Sequence, residues 1–414
     1  MAKRPTLSLR EANVSLIDCV HRTPPAVSSG YPYITIPEIR NGRIDHSKAR
    51  RVSHENYIAW TAKAAPQAYD VVLSRRCNPG ETAFVPQGLQ FALGQNLVLL
   101  RADGTKVFPP FLRWLVRGHE WWEQVGKFNN VGAVFDSLKC ADIPNFELPI
   151  PTLTEQRAIA SILGNLDDKI ELNCRINETL ETTARAIFKS WYVDFDPVRA
   201  KAAGRQPLGM NAETVALFPS SFEDSPLGKI PQGWTTPNLG EIVDFAYGKA
   251  LKEENRRQGK VPVYGSNGPV GWHDEAFVKG PGIIVGRKGN PGTVTWAPTD
   301  FVPIDTTFYV ALKPALTSLL FAFHSLSLLD LPSLGADSAV PGLNRNIAYM
   351  SRVLLPRTEM IKAFDSLCGP LSLRVHLNNE ESRTLAAIRD ALLPKLISGE
   401  IRIKDAEKMI GERV

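Results

Sequence analysis

Pro151-Thr152-Leu153-Thr154-Glu155-Gln156-Arg157-Ala158-Ile159 opens a helical stretch that returns 205 positions later, from Pro356 onward. The match runs without a gap, setting Ile162 against Leu367, Leu166 against Leu371, Ile170 against Val375, Asn173 against Asn378, Leu180 against Leu385 and Ile187 against Leu392. A β-rich element repeats at an offset of 212: Val71-Val72-Leu73-Ser74-Arg75-Arg76-Cys77-Asn78-Pro79-Gly80 stands against Ile283-Ile284-Val285-Gly286-Arg287-Lys288-Gly289-Asn290-Pro291-Gly292. Two copies are too few for a solenoid, which needs about three to bury a continuous core. The chain reads as a pseudo-two-fold molecule.

The first helix is expected to open at Thr154, whose hydroxyl, with Glu155 and Gln156 behind it, suits a helix N-terminus. Its seam runs Ile159, Leu163, Leu166, Ile170, Asn173, Asn177, Leu180, Ala184, Ile187, Trp191. The second runs Phe364, Leu367, Leu371, Val375, Asn378, Ser382, Leu385, Arg389, Leu392, Leu396. Steps of four and three alternate, the heptad rhythm of a coiled coil, and both seams turn polar in the middle. About 38 residues at 1.5 Å each make a rod on the order of 57 Å. Its apolar stripe needs a partner, and antiparallel pairing with the other copy buries both seams and leaves the strand-rich domains at opposite ends. Asn173 and Asn378 then approach one another, either fixing the register as buried polar seam residues or facing solvent on a drifting seam. Gly164 and its counterpart Gly369 weaken both helices at one point, and Pro370 predicts a bend in the second.

At 414 residues the chain exceeds one ordinary core, and roughly 150 residues per domain allows two or three domains. The fold class is α+β, with two strand-rich domains separated by two long antiparallel helices. Residues 1–150 form the first domain, with Tyr33-Ile34-Thr35-Ile36, Val71-Val72-Leu73 and Leu97-Val98-Leu99-Leu100 as strands and a helix from Phe108 to Trp122. Residues 151–195 are the first long helix. Residues 196–232, rich in Pro, Gly and Ala, read as a linker. Residues 233–355 form the second domain, and residues 356–414 the second long helix and a tail.

Composition removes several function classes. No apolar run approaches the roughly 20 residues that span a bilayer, and Met1-Ala2-Lys3-Arg4-Pro5 leads into no signal-type segment, so the cytoplasm is the expected location. Cys19, Cys77, Cys140, Cys174 and Cys368 are scattered and never form a CxxC pair, which argues against a disulfide framework and a zinc site. The seven histidines lack ligand spacing, so no metal is expected. No triphosphate loop, H-E-x-x-H helix or G-x-S-x-G elbow is present. An amino-methyltransferase would carry an Asn-Pro-Pro-aromatic tetrapeptide, yet Asn78 and Asn290 are each followed by Pro-Gly. Asp167-Asp168 reads as a solvated helix face, and no catalytic site is expected.

What remains is basic and amide residues on turns. These are Arg75, Arg76 and Asn78, then Arg287, Lys288 and Asn290, then Arg256, Arg257 and Lys260, and finally Asn344 and Arg345. Arginine pairs bidentately with guanine, asparagine with adenine, and glycine lets backbone approach phosphate. A formal charge of +5 permits a polyanionic partner without requiring one.

The stretch Leu148-Pro149-Ile150-Pro151-Thr152-Leu153-Thr154-Glu155-Gln156-Arg157-Ala158-Ile159, followed by Leu166-Asp167-Asp168-Lys169-Ile170 and by Phe188-Lys189-Ser190-Trp191-Tyr192-Val193-Asp194-Phe195-Asp196-Pro197-Val198, resembles the specificity subunit of Type I restriction-modification enzymes. Leu227-Gly228-Lys229-Ile230-Pro231-Gln232-Gly233-Trp234, Val263-Tyr264-Gly265-Ser266-Asn267-Gly268 and Leu393-Pro394-Lys395-Leu396-Ile397-Ser398-Gly399-Glu400-Ile401 extend the likeness over nearly the whole chain. The resemblance implies two target recognition domains, each reading half of a split double-stranded DNA sequence, with the paired helices as a ruler. It adds Ser266 and Asn267 to the candidate DNA contacts. It also implies two docked methyltransferase subunits and, optionally, two endonuclease subunits. S-adenosylmethionine, and ATP with magnesium for restriction, would be held by those partners, with no cofactor in this chain. The first domain departs from the family pattern: Arg75-Arg76-Cys77 replaces the commoner Arg-Lys-Gly type of turn, and the Gly-Ser-Asn-Gly element is missing.

Because the two domains differ at their turns, the target should be bipartite and not palindromic, with half-site centres about one DNA turn, on the order of 34 Å, apart. The alternative from another class is a scaffold whose two β-rich modules bind proteins.

Overall fold

The first long helix spans Leu153–Tyr192 and begins one residue after Thr152, not at Thr154. Thr152 and Glu155 close a capping box: the Glu155 amide donates to the Thr152 hydroxyl at 3.3 Å, and the Thr152 amide donates to the Glu155 carboxylate at 2.9 Å. The T-x-x-E spacing satisfies two orphan donors at once, which Thr154 cannot do. The second long helix, Thr358–Ser398, runs unbroken through Gly369 and Pro370.

This computed structural model describes residues 4–63, 65–131, 136–334 and 342–411. The chain divides into two units, residues 1–172 with 381–414 and residues 173–380. Both long helices pass from one unit into the other. In the first unit their segments run antiparallel: Arg4 links Glu155 to the carbonyls of Leu396 and Ile397, Asp167 meets Arg389, and Lys169 meets Glu381. In the second unit the order is again reversed, with Asn173 against Asn378 and the Tyr192 hydroxyl donating to Met360 O at 3.0 Å.

Each unit contains the same two sheets. A four-stranded antiparallel sheet is ordered Val14–Asp18, Leu97–Ala102, Val71–Ser74, Thr82–Phe84 in the first, and Val243–Tyr247, Thr307–Leu312, Gly282–Gly286, Val294–Ala297 in the second. A three-stranded sheet joins Arg50–Val52, Tyr31–Ile34 and Ala92–Leu93 in the first, and Gly268–His273, Val261–Gly265 and Val302–Pro303 in the second. In both the central strand has one antiparallel and one parallel neighbour. Where the second unit turns at Ser266 and Asn267, the first inserts a longer connection carrying the small hairpin Ile39–Arg40 and Arg43–Ile44.

The cores are chemically unlike. In the first unit Ile159, Leu163 and Leu166 pack with Leu385, Leu392 and Leu396 and with Phe111, Trp114 and Trp121. In the second, Phe188, Trp191, Tyr192, Phe321 and Phe364 form an aromatic cluster.

Several sequence expectations shift. Leu367, assigned to the second seam, is exposed, and Cys368 is buried in its place, keeping the four-three rhythm from Phe364 to Leu371. The expected helix from Phe108 to Trp122 is two helices, Pro109–Leu115 and His119–Phe128, parted at Gly118, which caps the second. The linker carries structure: helices Asp196–Ala202 and Ala212–Leu217 and a hairpin of Phe222–Ser225 with Gly228–Pro231, all anchored by buried Val198, Phe218 and Ile230. Pro and Gly there punctuate short elements instead of loosening the chain. Asp167 is no solvated face: it is 2% exposed, and Arg389 donates to it at 2.5 Å while Arg43 approaches to 3.2 Å. Periodicity marked Asp167 as polar but could not show that arginines from three other elements fold over it.

Asn173 and Asn378 are both buried, so the solvent-facing alternative is set aside. The Asn173 amide donates to Asn378 O at 3.4 Å, the Asn378 amide to Asn177 Oδ1 at 2.8 Å, and the Asn177 amide to Asn379 Oδ1 at 2.9 Å.

Candidate nucleic-acid interface

The β-rich repeat is a turn built twice on one backbone. In the first unit the Gly80 amide donates to Ser74 O at 3.0 Å and the Ser74 amide to Glu81 O at 2.8 Å. In the second, the Gly292 amide donates to Gly286 O and the Gly286 amide to Thr293 O, both at 2.8 Å. The arginine amide that follows is held by the neighbouring strand connection in each case, Arg75 by Asn96 O and Arg287 by Thr306 O, both at 2.9 Å. Its carbonyl accepts from a leucine amide, Leu138 or Leu343. Cys77 adopts φ 64° where Gly289 has 81°. Left-handed backbone costs a residue bearing a Cβ about 1–2 kcal/mol, so the first turn keeps the shape of the second despite losing its glycine.

Side chains on this shared backbone differ. In the second unit Lys288 and Asn290 are exposed on the turn, and the Ser266 hydroxyl accepts from the Asn290 amide at 3.4 Å. Thr293 Oγ1 donates to Ser266 O at 2.6 Å, which brings the Ser266-Asn267 turn against it. The Arg287 guanidinium lies 5.1 Å from the centre of the Tyr247 ring and donates to Asp305 O at 2.9 Å. Arg345 lies 5.1 Å from the same ring and donates to Phe245 O at 3.3 Å. Ser266, Asn267, Arg287, Lys288, Asn290 and Arg345 therefore gather on one patch. Tyr247 was missed in the sequence, because nothing in Val243-Asp244-Phe245-Ala246-Tyr247 shows which arginines the sheet will bring to it.

Four other candidates are used internally. Arg75 is 9% exposed, and its guanidinium reaches Leu138 O at 3.5 Å, so it braces its turn from inside while Arg76 and Asn78 stay outside. Arg256 donates to Val270 O at 2.7 Å. Arg257 is taken by Asp274 at 2.7 Å and Glu275 at 3.4 Å, and its hydrogen bond holds the Asp274 carboxyl below the usual carboxylate range. Asn344 caps the helix Arg345–Met350, its side-chain oxygen accepting from the amides of Asn346 and Ile347. A capping asparagine and a DNA-reading asparagine look alike in sequence. Lys260 is exposed.

Residues 23–182 match the family described as the Type I restriction modification DNA specificity domain. The HindI specificity subunit of Haemophilus influenzae is 26% identical over 445 aligned residues, covering 90% of this chain and 95% of that protein. The chain is similar over nearly its whole length to a Type I specificity subunit. A second specificity subunit, MjaIX of Methanocaldococcus jannaschii, is 26% identical over 66% of this chain and 65% of its own length. In fold the chain is similar to the crystal structure of the S subunit from M. genitalium, at a TM-score of 0.58 and 18% identity, covering 95% of this chain and 96% of that one. The family match covers most of the first strand-rich domain, the one whose turn carries Cys77, and most of the first long helix. Departure at that turn therefore does not remove this domain from the matched family.

One grouping of ligand type lies in the same domain. Asp18, Cys19 and His21 place a carboxylate oxygen, a thiol and an imidazole nitrogen within 4.8 Å of one another. His21 Nε2 lies 2.9 Å from Asp18, and Lys63 faces the same carboxylate at 3.9 Å. Burial pushes the Asp18 carboxyl up, but the His21 and Cys19 hydrogen bonds and the charges of His21 and Arg75 outweigh it and hold the group low. Burial and the Asp18 charge raise the Cys19 thiol, which favours its protonated form. No described helix is long and apolar enough to cross a membrane.

Proposed function

We propose that this chain is the DNA-reading subunit of a Type I restriction-modification complex, that its two strand-rich domains read different halves of a split, non-palindromic duplex target, and that methyltransferase and endonuclease subunits dock on it. The supporting observation is the twice-built turn: one backbone presents Arg76, Cys77 and Asn78 in one domain and Lys288, Gly289 and Asn290 in the other. Equal scaffolds with unequal side chains fit two readings by one mechanism, since base edges specify while phosphate contacts position. On this reading the chain catalyses nothing, and S-adenosylmethionine and ATP with magnesium act in the partners. Sequencing methylated adenines in cells with and without the chain tests it; a palindromic motif, or methylation independent of the chain, defeats it. Retardation of mixed-sequence duplex DNA separates it from a protein-binding scaffold, which would leave DNA unshifted.

Both long helices are covalently continuous between the units, so one added heptad in each supplies about 10 Å of helix. The unspecified gap in the methylation motif is expected to lengthen by about three base pairs at 3.4 Å each, with both half-sites unchanged. An unaltered motif from a stable insertion variant would remove the ruler role.

Arg287→Ala and Lys288→Ala are each expected to weaken binding, with log K against log salt becoming shallower by about one if the lost contact is to phosphate. Parallel lines for variant and wild type across a salt series would take that residue out of the interface.

A further inference from the structure

We infer that Tyr247 is the positioning residue of the second recognition domain: its ring gathers Arg287 and Arg345 and holds both guanidinium groups ready for the phosphate backbone of the duplex. This rests on the DNA-reading role proposed above. The two arginines come from a strand-end turn and from the start of the helix Arg345–Met350, more than fifty residues apart in sequence, yet both lie 5.1 Å from one ring centre. Arg345 lies in addition 5.7 Å from the Tyr349 ring. Tyr349 is fixed in turn: its hydroxyl donates to Asp244 Oδ1 at 2.5 Å and accepts from the Phe245 amide at 2.7 Å. Arg287, Tyr247, Arg345 and Tyr349 thus form one cation–π cluster on the sheet edge.

Charge explains why such a cluster needs an anion. Each guanidinium donates to a single backbone carbonyl, and among the described residues neither forms an ion pair. Lys288 is exposed on the same turn. Asp244 reaches the cluster through the Tyr349 hydroxyl and not as an ion pair, so three cations on one patch remain without an ion-paired carboxylate among the described residues, and a polyanion meets them favourably. Ring faces attract cations without neutralising them, so an aromatic anchor orders an arginine while leaving most of its five donors available.

The first domain supplies the contrast. Tyr247 pairs with Phe308, which pairs with Val285; Asp18 pairs with Val98, which pairs with Leu73. Val285 and Leu73 are matched residues of the β-rich repeat, so Asp18 occupies the place of Tyr247. There the arginine matching Arg287 is Arg75, buried and under the influence of the Asp18 carboxylate. Arg75 makes no ion pair with Asp18 among the described residues and is turned inward to Leu138 O, whereas Arg287 lies against the Tyr247 ring at the surface. Tyr247 itself is 50% exposed.

The test uses the full chain, alone and with methyltransferase subunits, and mixed-sequence duplex DNA as probe. Tyr247→Ala is expected to weaken binding about tenfold and to flatten the salt dependence by one to two units of slope, while thermal unfolding stays near wild type. Tyr247→Phe, which keeps the ring face, is expected to restore both. Wild-type affinity and slope in Tyr247→Ala, from a wild type that binds DNA, would overturn the inference alone, and so would a Tyr247→Phe as defective as the alanine variant. A wild type that binds no DNA in either form would instead overturn the DNA-reading proposal. An unchanged slope with a relaxed second half-site would assign the arginines to base edges and overturn the phosphate role.

Discussion

Asp167→Asn is expected to destabilise the first unit by about 3–5 kcal/mol, the range for removing one partner of a buried charge cluster. The carboxylate is 2% exposed and is met by Arg389 at 2.5 Å, Arg43 at 3.2 Å and Arg113 at 3.9 Å. Those arginines come from the second long helix, the inserted hairpin and the helix Pro109–Leu115, so one side chain ties three elements to the first long helix. Burial already lowers the pKa of Arg113 and of nearby Arg117, which means these cations are poorly solvated before their partner is lost. Asparagine keeps the shape but removes the buried counter-charge: Arg43 keeps Glu171 and Arg389 keeps Asp390, while Arg113 loses the one carboxylate it meets among the described residues. Asp168→Asn, one residue along on the exposed face, is expected to stay within about 0.5 kcal/mol. Burial pushes the Asp167 carboxyl up, but Arg43, Arg389 and Arg113 outweigh it and hold it below the usual range. A depressed folded pKa means that the unfolded chain binds more protons in that window. The contribution is therefore complete above the ordinary carboxylate pKa and lost as pH falls toward the folded value. Urea unfolding with peptide-resolved hydrogen exchange, at neutral and acid pH, measures both effects. Equal stability of Asp167→Asn and wild type at neutral pH would show that the arginines need no counter-charge there.

How much of this was legible depends on what each interaction requires of the sequence. The helices and their partnership were readable, because a heptad seam is local and its copy lies at a fixed offset. The β-rich turn was readable for the same reason. Register between strands was not. The inserted hairpin Ile39–Arg40 with Arg43–Ile44 breaks the constant offset, so Asp18 and Tyr247 never align by counting and only strand pairing equates them. Arg75 and Arg287 aligned perfectly and still diverged, one turned inward to Leu138 O and the other set against the Tyr247 ring, partners that lie far away in sequence. Asn344 and Arg256 are engaged within the chain in ways no sequence shows: a capping oxygen and a guanidinium on a carbonyl both serve the chain's own backbone, and composition cannot distinguish that from a ligand contact.

The largest effect in the second unit is expected from Phe364→Ala, again about 3–5 kcal/mol, but of a different kind. Phe364 is fully buried with its ring centre 5.5 Å from Phe188, 5.7 Å from Tyr192 and 5.6 Å from His324. Its loss is one of apolar area and ring contacts, so it should not change with salt, whereas the Asp167→Asn penalty should shrink as salt screens the part-exposed Arg43 more than the buried arginines. His324 reports the same packing. Burial lowers its pKa to about 4, so the folded unit resists protonation there. The unfolded chain binds that proton near pH 6.5, and the second unit therefore loses stability as pH falls from about 6.5 toward 4. Opening a cavity beside the imidazole admits water and should move the His324 titration back toward 6.5, making this acid limb shallower in Phe364→Ala than in wild type. An NMR titration of His324 in both proteins reads that shift directly. A value near 4 in the alanine variant would mean that the remaining rings close over the cavity, and then the stability loss should fall well short of 3 kcal/mol.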